Sequence, residues 1–408
     1  MLKKFFFVFT ILLSFDIQAQ QMPEAWYRSN AAYERGEYNI ALQWIDSCIA
    51  KKGNNPFFWA RRGEVLFGTG DTENALESLL KAEKLKPNSS SYTLSKLYSL
   101  KGDTASCFFW LKNYLASGDK VSEGTIKLET AFKRVEQTKL WQQIWDKDWY
   151  SFAEKLIFDA EYSLSNQNWE EAIDLLNPRL KGNNSRPQLI FLRGKAYSGL
   201  GSYNTAIEDF STAIKRNKKN HFYLAERAKA YLATEKYSNA IDDASKAIEL
   251  SGGDPNYFLI RANAYHRSKQ YDLAFEDLAY YISFYPSNTD ASFLFAVIAI
   301  DAGRYVDALF SLGKLIKSNP SEPKYYYYRG LAYLKSENYN VAEIDFSTAI
   351  TKGYKPSETY YQRGVVRLNL GKKDDACSDL EVASKNGNFS AQELFYKNCK
   401  KMSSQQKW

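Results

Sequence analysis

The sequence predicts an all-α fold in which similar helical hairpins stack one after another as a solenoid. The first observation is a period, because alanine recurs every 34 residues through six consecutive units without an insertion. These alanines are Ala206, Ala240, Ala274, Ala308, Ala342 and Ala376. A second series of small residues keeps the same spacing: Gly194, Ala228, Ala262, Ala296, Gly330 and Gly364. Such a regular period is typical of repeat architectures.

Each unit is predicted to be two helices joined by a tight turn. In residues 187–220, Gly194 and Ala206 are small enough to let two helices approach closely, and Phe210 fills the space beside them. Gly201 lies between the two apolar segments, where the first helix has to end and the chain reverses. The unit is therefore an antiparallel hairpin.

This pattern of small and aromatic residues resembles the tetratricopeptide-repeat (TPR) family, and the resemblance covers most of the chain. It implies a right-handed α-solenoid of about nine to ten TPR hairpins in two blocks, closed by a C-terminal capping helix. TPR solenoids hold partner proteins, usually an extended peptide or a helix, in a concave groove. The resemblance thus implies a protein-binding scaffold.

The N-terminus reads as a signal peptide over residues 1–19. Lys3 and Lys4 precede an apolar run, and Ile17-Gln18-Ala19 is an acceptable cleavage site. The alternative, a membrane anchor, is disfavoured because the run is short for a membrane span. No later segment is apolar enough to cross a membrane. We therefore expect an exported bacterial protein, periplasmic or secreted.

The regular repeats are expected to form two blocks. The predicted organisation is an N-terminal TPR block at 20–118, a helical connector at 119–150, a C-terminal block with its capping helix at 151–401, and a tail at 402–408. Trp141, Trp145 and Trp149 follow a helical spacing within the connector. This stripe either packs on the neighbouring hairpins or forms an aromatic platform for a ligand.

An arginine and an aspartate recur 16 residues apart in five of the six regular units. The pairs are Arg193 and Asp209, Arg227 and Asp243, Arg261 and Asp277, Arg329 and Asp345, and Arg363 and Asp379. The remaining unit lacks both, with Phe295 and Ser311 in their places. Because one unit has lost both residues together, we interpret the pairs as internal ion pairs that fix the register of each hairpin. The alternative is a row of charged sites for a ligand.

The sequence carries no pattern of an enzyme. Its two histidines, His221 and His266, have no Cys, Asp or Glu at the spacing of a metal or catalytic site, and surface positions are expected for both. No cofactor is predicted. The net charge of +7 is made of interspersed acidic and basic residues, which argues against nucleic acid as a partner.

Two of the four cysteines are placed to form a disulfide. Cys377 lies early in the second helix of the last hairpin, and Cys399 lies in the capping helix that should stack on it. In an exported protein a bond there is reasonable and would fasten the end of the solenoid. The alternative is two buried thiols.

A candidate groove follows from the resemblance, which implies that first helices line the concave face. Apolar residues occupy three of their positions in three successive repeats: Phe293, Val297, Ile300, Tyr327, Leu331, Leu334, Tyr361, Val365 and Leu368. Lys324, Arg304 and Lys335 are expected at its edge. We expect this strip to bind an apolar peptide; the alternative is burial between successive first helices.

The sequence leaves the ligand class open in one respect. A glycan or cell-wall fragment, stacked on groove tyrosines, is the alternative to a protein or peptide partner. The identity of the partner and the oligomeric state do not follow from the sequence.

Overall fold

The computed structural model describes residues 22–180 and 186–399. The signal peptide predicted at 1–19 and the tail at 402–408 lie outside these residues. The chain divides into two compact units, unit 1 up to Arg261 and unit 2 from Ala262 onward. Within the described ranges, no helix combines the length and the apolar character that a membrane span requires.

The described part of unit 1 consists of helices with short connections. The helices are α1 (Glu24–Glu34), α2 (Tyr38–Lys51), α3 (Pro56–Thr69), α4 (Thr72–Leu85), α5 (Ser91–Lys101), α6 (Thr104–Leu115), α7 (Glu123–Leu128), α8 (Lys139–Trp145), α9 (Phe152–Ser165), α10 (Trp169–Leu176), α11 (Pro187–Gly199), α12 (Tyr203–Arg216), α13 (His221–Ala233) and α14 (Tyr237–Ser251). Short 3-10 turns follow at Thr130–Phe132 and Asn177–Arg179. Helices α1 to α6 and α9 to α14 pack pairwise in chain order as hairpins.

Unit 2 continues the same architecture, and the division between the units falls within α15 (Pro255–Arg267). The further helices are α16 (Tyr271–Phe284), α17 (Thr289–Asp301), α18 (Tyr305–Ser318), α19 (Pro323–Lys335), α20 (Tyr339–Thr351), α21 (Pro356–Asn369), α22 (Lys373–Lys385) and α23 (Phe389–Asn398). Helices α17 to α22 again pair as hairpins, and α23 packs on α22. The predicted all-α array of hairpins is confirmed, since the residues described contain no strand.

The residues that repeat in the sequence close the hairpins. A Cβ atom on Gly194 would lie 2.7 Å from a ring carbon of Phe210, so α11 and α12 can approach this closely only with glycine there. Gly201 ends the first helix with φ of +75°. Glu235, one repeat later, adopts φ of +58° at the same position, so the turn conformation is kept without glycine.

The predicted connector is not one continuous helix, and in this respect the prediction is wrong. Its helices α7 and α8 are short, and Trp149 lies beyond the end of α8. The tryptophans nevertheless pack together: Trp141 is buried, Trp145 contacts it edge to face at 5.6 Å, and the Trp149 indole donates to the Ile144 carbonyl oxygen at 2.6 Å. The packing interpretation of the stripe is supported.

The connector also covers the side of α5 that would otherwise face a further hairpin. Ser99 Oγ donates to the Ala131 carbonyl oxygen at 2.7 Å, and Lys96 Nζ lies 3.4 Å from Glu129 Oε2. Seven of the eleven residues of α5 are buried. The connector therefore packs on α5 where the first helix of a further hairpin would otherwise pack.

The capping helix is fastened as the sequence suggested. Leu394 and Phe395 of α23 pack against buried Leu380 of α22. Cys377 and Cys399 form a disulfide with their Cα atoms 5.6 Å apart, which settles the choice between a bond and two thiols. The last hairpin therefore has a covalent tie to its cap.

Candidate partner-binding groove

Counted from Pro187 as position 1, the predicted groove residues stand at positions 5, 9 and 12 of the repeat. None of the nine is fully exposed. Ile300 and Tyr327 are buried, while the other seven are half-buried: Phe293, Val297, Leu331, Leu334, Tyr361, Val365 and Leu368. The strip is therefore part core and part surface.

The aromatic residues at position 5 pack between successive first helices. The Phe293 ring lies 5.7 Å from that of Tyr325 and 5.0 Å from that of Tyr328, both on α19. In unit 1, Phe191 stacks on Tyr223 of the next first helix at 4.5 Å in the same way. Position 5 thus mainly joins neighbouring hairpins.

Two groove predictions are corrected by burial. The Tyr327 ring is enclosed by Phe346 at 5.8 Å and Tyr354 at 5.2 Å, and this burial raises the pKa of its hydroxyl. Ile300 belongs to the core formed around α17 and α18. Both residues are core because of contacts with other helices, including the second helix of their own hairpin, which the pattern of one helix does not reveal.

The half-buried residues at position 9 remain as a candidate groove. Val297, Leu331 and Val365 stand one repeat apart on α17, α19 and α21, and Tyr328 on α19 is half-buried as well. Leu331 and Leu334 pack partly onto the core beneath α19, and Tyr361 and Leu368 onto the core beneath α21, so one side of Leu331 is already in contact with the fold. We name Val297, Leu331 and Val365 the groove strip.

The three basic residues expected at the groove edge do not all lie there. The Lys324 ammonium lies 5.0 Å from the centre of the Phe293 ring, and Lys335 is exposed on the same helix, α19. Arg304 instead contacts α16, with its guanidinium 3.1 Å from Asp272 Oδ1 and 4.2 Å from the Phe275 ring centre. Arg304 therefore serves the second helices and not the groove.

The predicted ion pairs form wherever both residues lie in one unit. Arg329 Nε and Nη2 donate to the two carboxylate oxygens of Asp345 at 2.7 and 2.8 Å. The same bidentate contact joins Arg193 to Asp209, Arg227 to Asp243, and Arg363 to Asp379. The hydrogen bond to the aspartate raises the pKa of Arg329. Arg261 and Asp277 belong to different units, and their pairing stays a prediction.

Some of these arginines also reach back to the preceding hairpin, which the sequence did not indicate. Arg227 Nη1 donates to Ser211 Oγ at 2.9 Å, and Arg363 Nη1 donates to Ser347 Oγ at 3.0 Å, both 16 residues earlier. Arg62 shows a reversed version, with Asp46 before it at 2.8 Å and Ser78 after it at 2.7 Å. One guanidinium therefore ties two successive second helices together.

The hairpin without the ion pair has a different contact in its place. Phe295 packs its ring 4.6 Å from that of Phe275, and Ser311 Oγ donates to the Ser292 carbonyl oxygen at 3.0 Å. An aromatic contact thus replaces the guanidinium between hairpins. The joint change predicted from the sequence has a structural basis.

The remaining histidines and cysteines of the described ranges have ordinary structural surroundings. The described ranges contain no group of His, Cys, Asp and Glu that could hold a metal. His221 Nδ1 is bonded to the Tyr257 hydroxyl at 2.6 Å, and burial lowers the pKa of His221 to about 4, so it is not the surface residue that we expected. Burial raises the pKa of Cys48 and Cys107 to about 11, which keeps both as thiols.

Comparison with known proteins points to one family. Models of the tetratricopeptide repeat match residues 58–89, 191–255 and 293–354, and a model of anaphase-promoting complex, cyclosome, subunit 3 matches 233–315. A TPR repeat-containing protein of Methanocaldococcus jannaschii is 30% identical over 193 residues, 46% of this chain and 30% of that protein. Serine/threonine-protein phosphatase 5 of Homo sapiens is 37% identical over 81 residues, 20% of this chain and 16% of the phosphatase.

A tetratricopeptide repeat protein from Parabacteroides merdae is 19% identical, with a TM-score of 0.46, and the match covers 60% of this chain and 98% of that one. The chain spans less than a third of the length of the two curated relatives named above. The shared feature is therefore the repeat itself.

Proposed function

The chain belongs to the tetratricopeptide-repeat family, and from that premise we propose that it is a non-enzymatic scaffold of the cell envelope that binds a partner protein. The partner contributes a peptide or a helix, held against the first helices of unit 2. TPR proteins in general are scaffolds without catalytic activity. An export signal at residues 1–19, predicted from the sequence, supports the location in the envelope.

The groove strip supports this proposal more than any other feature. Val297, Leu331 and Val365 are apolar and only half-buried, whereas the equivalent residues of the three preceding hairpins are Lys195, Lys229 and Asn263. A row of apolar side chains one repeat apart matches an extended or helical segment that runs across successive hairpins. The exposed Lys335 and the nearby Lys324 favour acidic residues at the flanks of that segment.

A glycan ligand receives less support from the tyrosines. Stacking on a sugar needs an exposed ring face, and Tyr327 is buried among Phe346 and Tyr354. Tyr361 packs partly under the capping helix. We therefore keep a protein partner as the proposed ligand.

The test replaces the groove strip with the residue that the chain itself carries at Asn263. The triple variant Val297→Asn, Leu331→Asn, Val365→Asn should fold, because position 9 already accepts asparagine, and should lose partners captured from envelope extracts. Thr348→Asn on the outer face of α20 is the matched control and should keep them. Capture unchanged by the triple variant, or retention on cell-wall sacculi in place of proteins, would contradict the proposal.

The envelope location has its own test. The exported chain should be recovered outside the cytoplasm with a mature N-terminus following Ala19, as determined by mass spectrometry of fractionated cells. A full-length chain retained in the cytoplasm would refute export and would leave the groove experiment unaffected.

A further inference from the structure

The outer face of α18 and α20 carries large apolar side chains in solvent. Val306 is 81% exposed, Phe310 66%, Val341 40% and Ile344 64%. We name these four residues the outer patch. They stand on second helices, away from the groove strip on the first helices.

At the positions of Phe310 and Val306 the outer patch is specific to these two hairpins, whereas the position of Val341 is also apolar and exposed on α16, at Leu273. Phe310 and Ile344 occupy the same repeat position, where the other regular units carry Glu208, Asp242, Glu276 and Ser378. Val306 likewise stands where the units before and after these two hairpins have Asp272 and Asp374. A face in contact with water alone would keep the polar pattern. Adjoining exposed apolar residues usually mark a contact surface.

Two opposite charges flank Phe310 on α18. Asp307 lies three residues before it and Lys314 four residues after it, and both are exposed. The Lys314 ammonium lies 4.1 Å from the centre of the Phe310 ring, and within the described ranges neither charge has an ion-pair partner. Glu343, beside Ile344, is already neutralised by Arg367 at 2.8 Å and by Lys372 at 2.5 Å.

The outer patch and its flanking charges are complementary to the same surface on a second copy of the chain. A two-fold axis that crosses α18 at Phe310 and α20 at Ile344 sets the α18 helices of two copies antiparallel. Asp307 and Lys314 lie about 5 Å on either side of that axis, at 1.5 Å of rise per residue. Asp307 of one copy then faces Lys314 of the other, and Phe310 and Ile344 each meet their own equivalent.

We propose that the outer patch is the interface of a homodimer of this chain, with antiparallel α18 helices. The contact ends at α16, because the same axis would place Glu276 against Glu276 of the second copy. Two helices a side make a small interface, and interfaces below about 1,200 Å² belong to weak associations. The dimer is therefore concentration-dependent, and it leaves the groove strip of both copies available.

Sedimentation velocity of the mature chain, from micromolar to submillimolar concentration, measures the association. The wild type should pass from monomer to dimer. Phe310→Glu and Ile344→Ser should each remain monomeric, because they install the residues found at Glu276 and Ser378. Asp242→Lys, at the same repeat position in another hairpin, is the control and should dimerise as the wild type does.

A charge exchange tests the antiparallel register. Asp307→Lys and Lys314→Asp should each weaken the dimer about tenfold, since each variant turns two opposite-charge contacts into like-charge contacts. The double variant Asp307→Lys, Lys314→Asp should restore the wild-type affinity. Thermal unfolding confirms that every variant is folded.

Three results would overturn the proposal. The first is a wild type that stays monomeric at every concentration. The second is a dimer that survives in folded Phe310→Glu or Ile344→Ser, because the interface then lies elsewhere. The third is a double charge exchange that associates no better than the single variants.

Discussion

The pair Arg329–Asp345 offers the sharpest test of how the hairpins are held. Its two hydrogen bonds are 2.7 and 2.8 Å long, and the position 16 residues before Arg329 is Gly313, so no side chain there shares the guanidinium. Removal of either residue therefore perturbs one main contact. A double-mutant cycle isolates its energy.

The two single variants should differ in cost. Arg329→Ala leaves the Asp345 carboxylate, 3% exposed, without its counter-charge, and stranding a buried charge costs about 3–5 kcal/mol. Asp345→Ala leaves a guanidinium that is 25% exposed and can be hydrated, so we expect roughly 1–2 kcal/mol. The double variant should be about 2 kcal/mol more stable than the sum predicts.

Urea unfolding and hydrogen exchange of α19 and α20 measure these energies, because stability in a solenoid is local. The hairpin with Phe295 and Ser311 is the matched control, and alanine variants there should be additive. Additive costs for Arg329 and Asp345, within about 0.5 kcal/mol, would refute the coupling.

Three other predictions follow from burial and from the disulfide. Tyr327→Ala should lower the free energy of unfolding by about 3–5 kcal/mol in urea titrations, as a core truncation does. A loss below about 1 kcal/mol would contradict the burial of Tyr327. Because burial lowers the pKa of His221 from 6.5 to about 4, the unfolded chain takes up the proton first as pH falls through this window. The wild type should lose stability there, and a pH series of thermal midpoints for His221→Gln should be flatter; equal slopes would contradict the shift. Replacing Cys377 and Cys399 by serine opens a loop of 22 residues and should loosen α23 by up to about 3 kcal/mol in hydrogen exchange, whereas unchanged exchange would show that packing alone holds the cap.

The period of the sequence predicted those features that depend on spacing within a hairpin. The period predicted that Gly194 contacts the second helix of its hairpin. It also predicted that an arginine pairs across the turn with the aspartate 16 residues later. Arg62 was missed because its aspartate precedes it and a serine takes the later place. The same rule with both spacings considered would have found it.

Features that depend on contacts between hairpins could not be predicted in the same way. Tyr327 has the helical phase of a groove residue, and the rings of Phe346 and of Tyr354, which follows α20, make it core. In the connector, Ser122 and Thr138 cap separate helices by accepting from the backbone N–H groups of Thr125 and Trp141. These capping residues were the available sign that the segment is broken.

The central claim is that a partner lies across the first helices of unit 2, and site-specific photo-crosslinking tests it most directly. A photo-reactive residue is placed at Leu331 in the groove strip, and at Thr348 on the outer face of α20 as a control. We predict one defined partner, identified by mass spectrometry, that crosslinks from Leu331 and not from Thr348. Crosslinking of that partner from Thr348 alone would contradict the account.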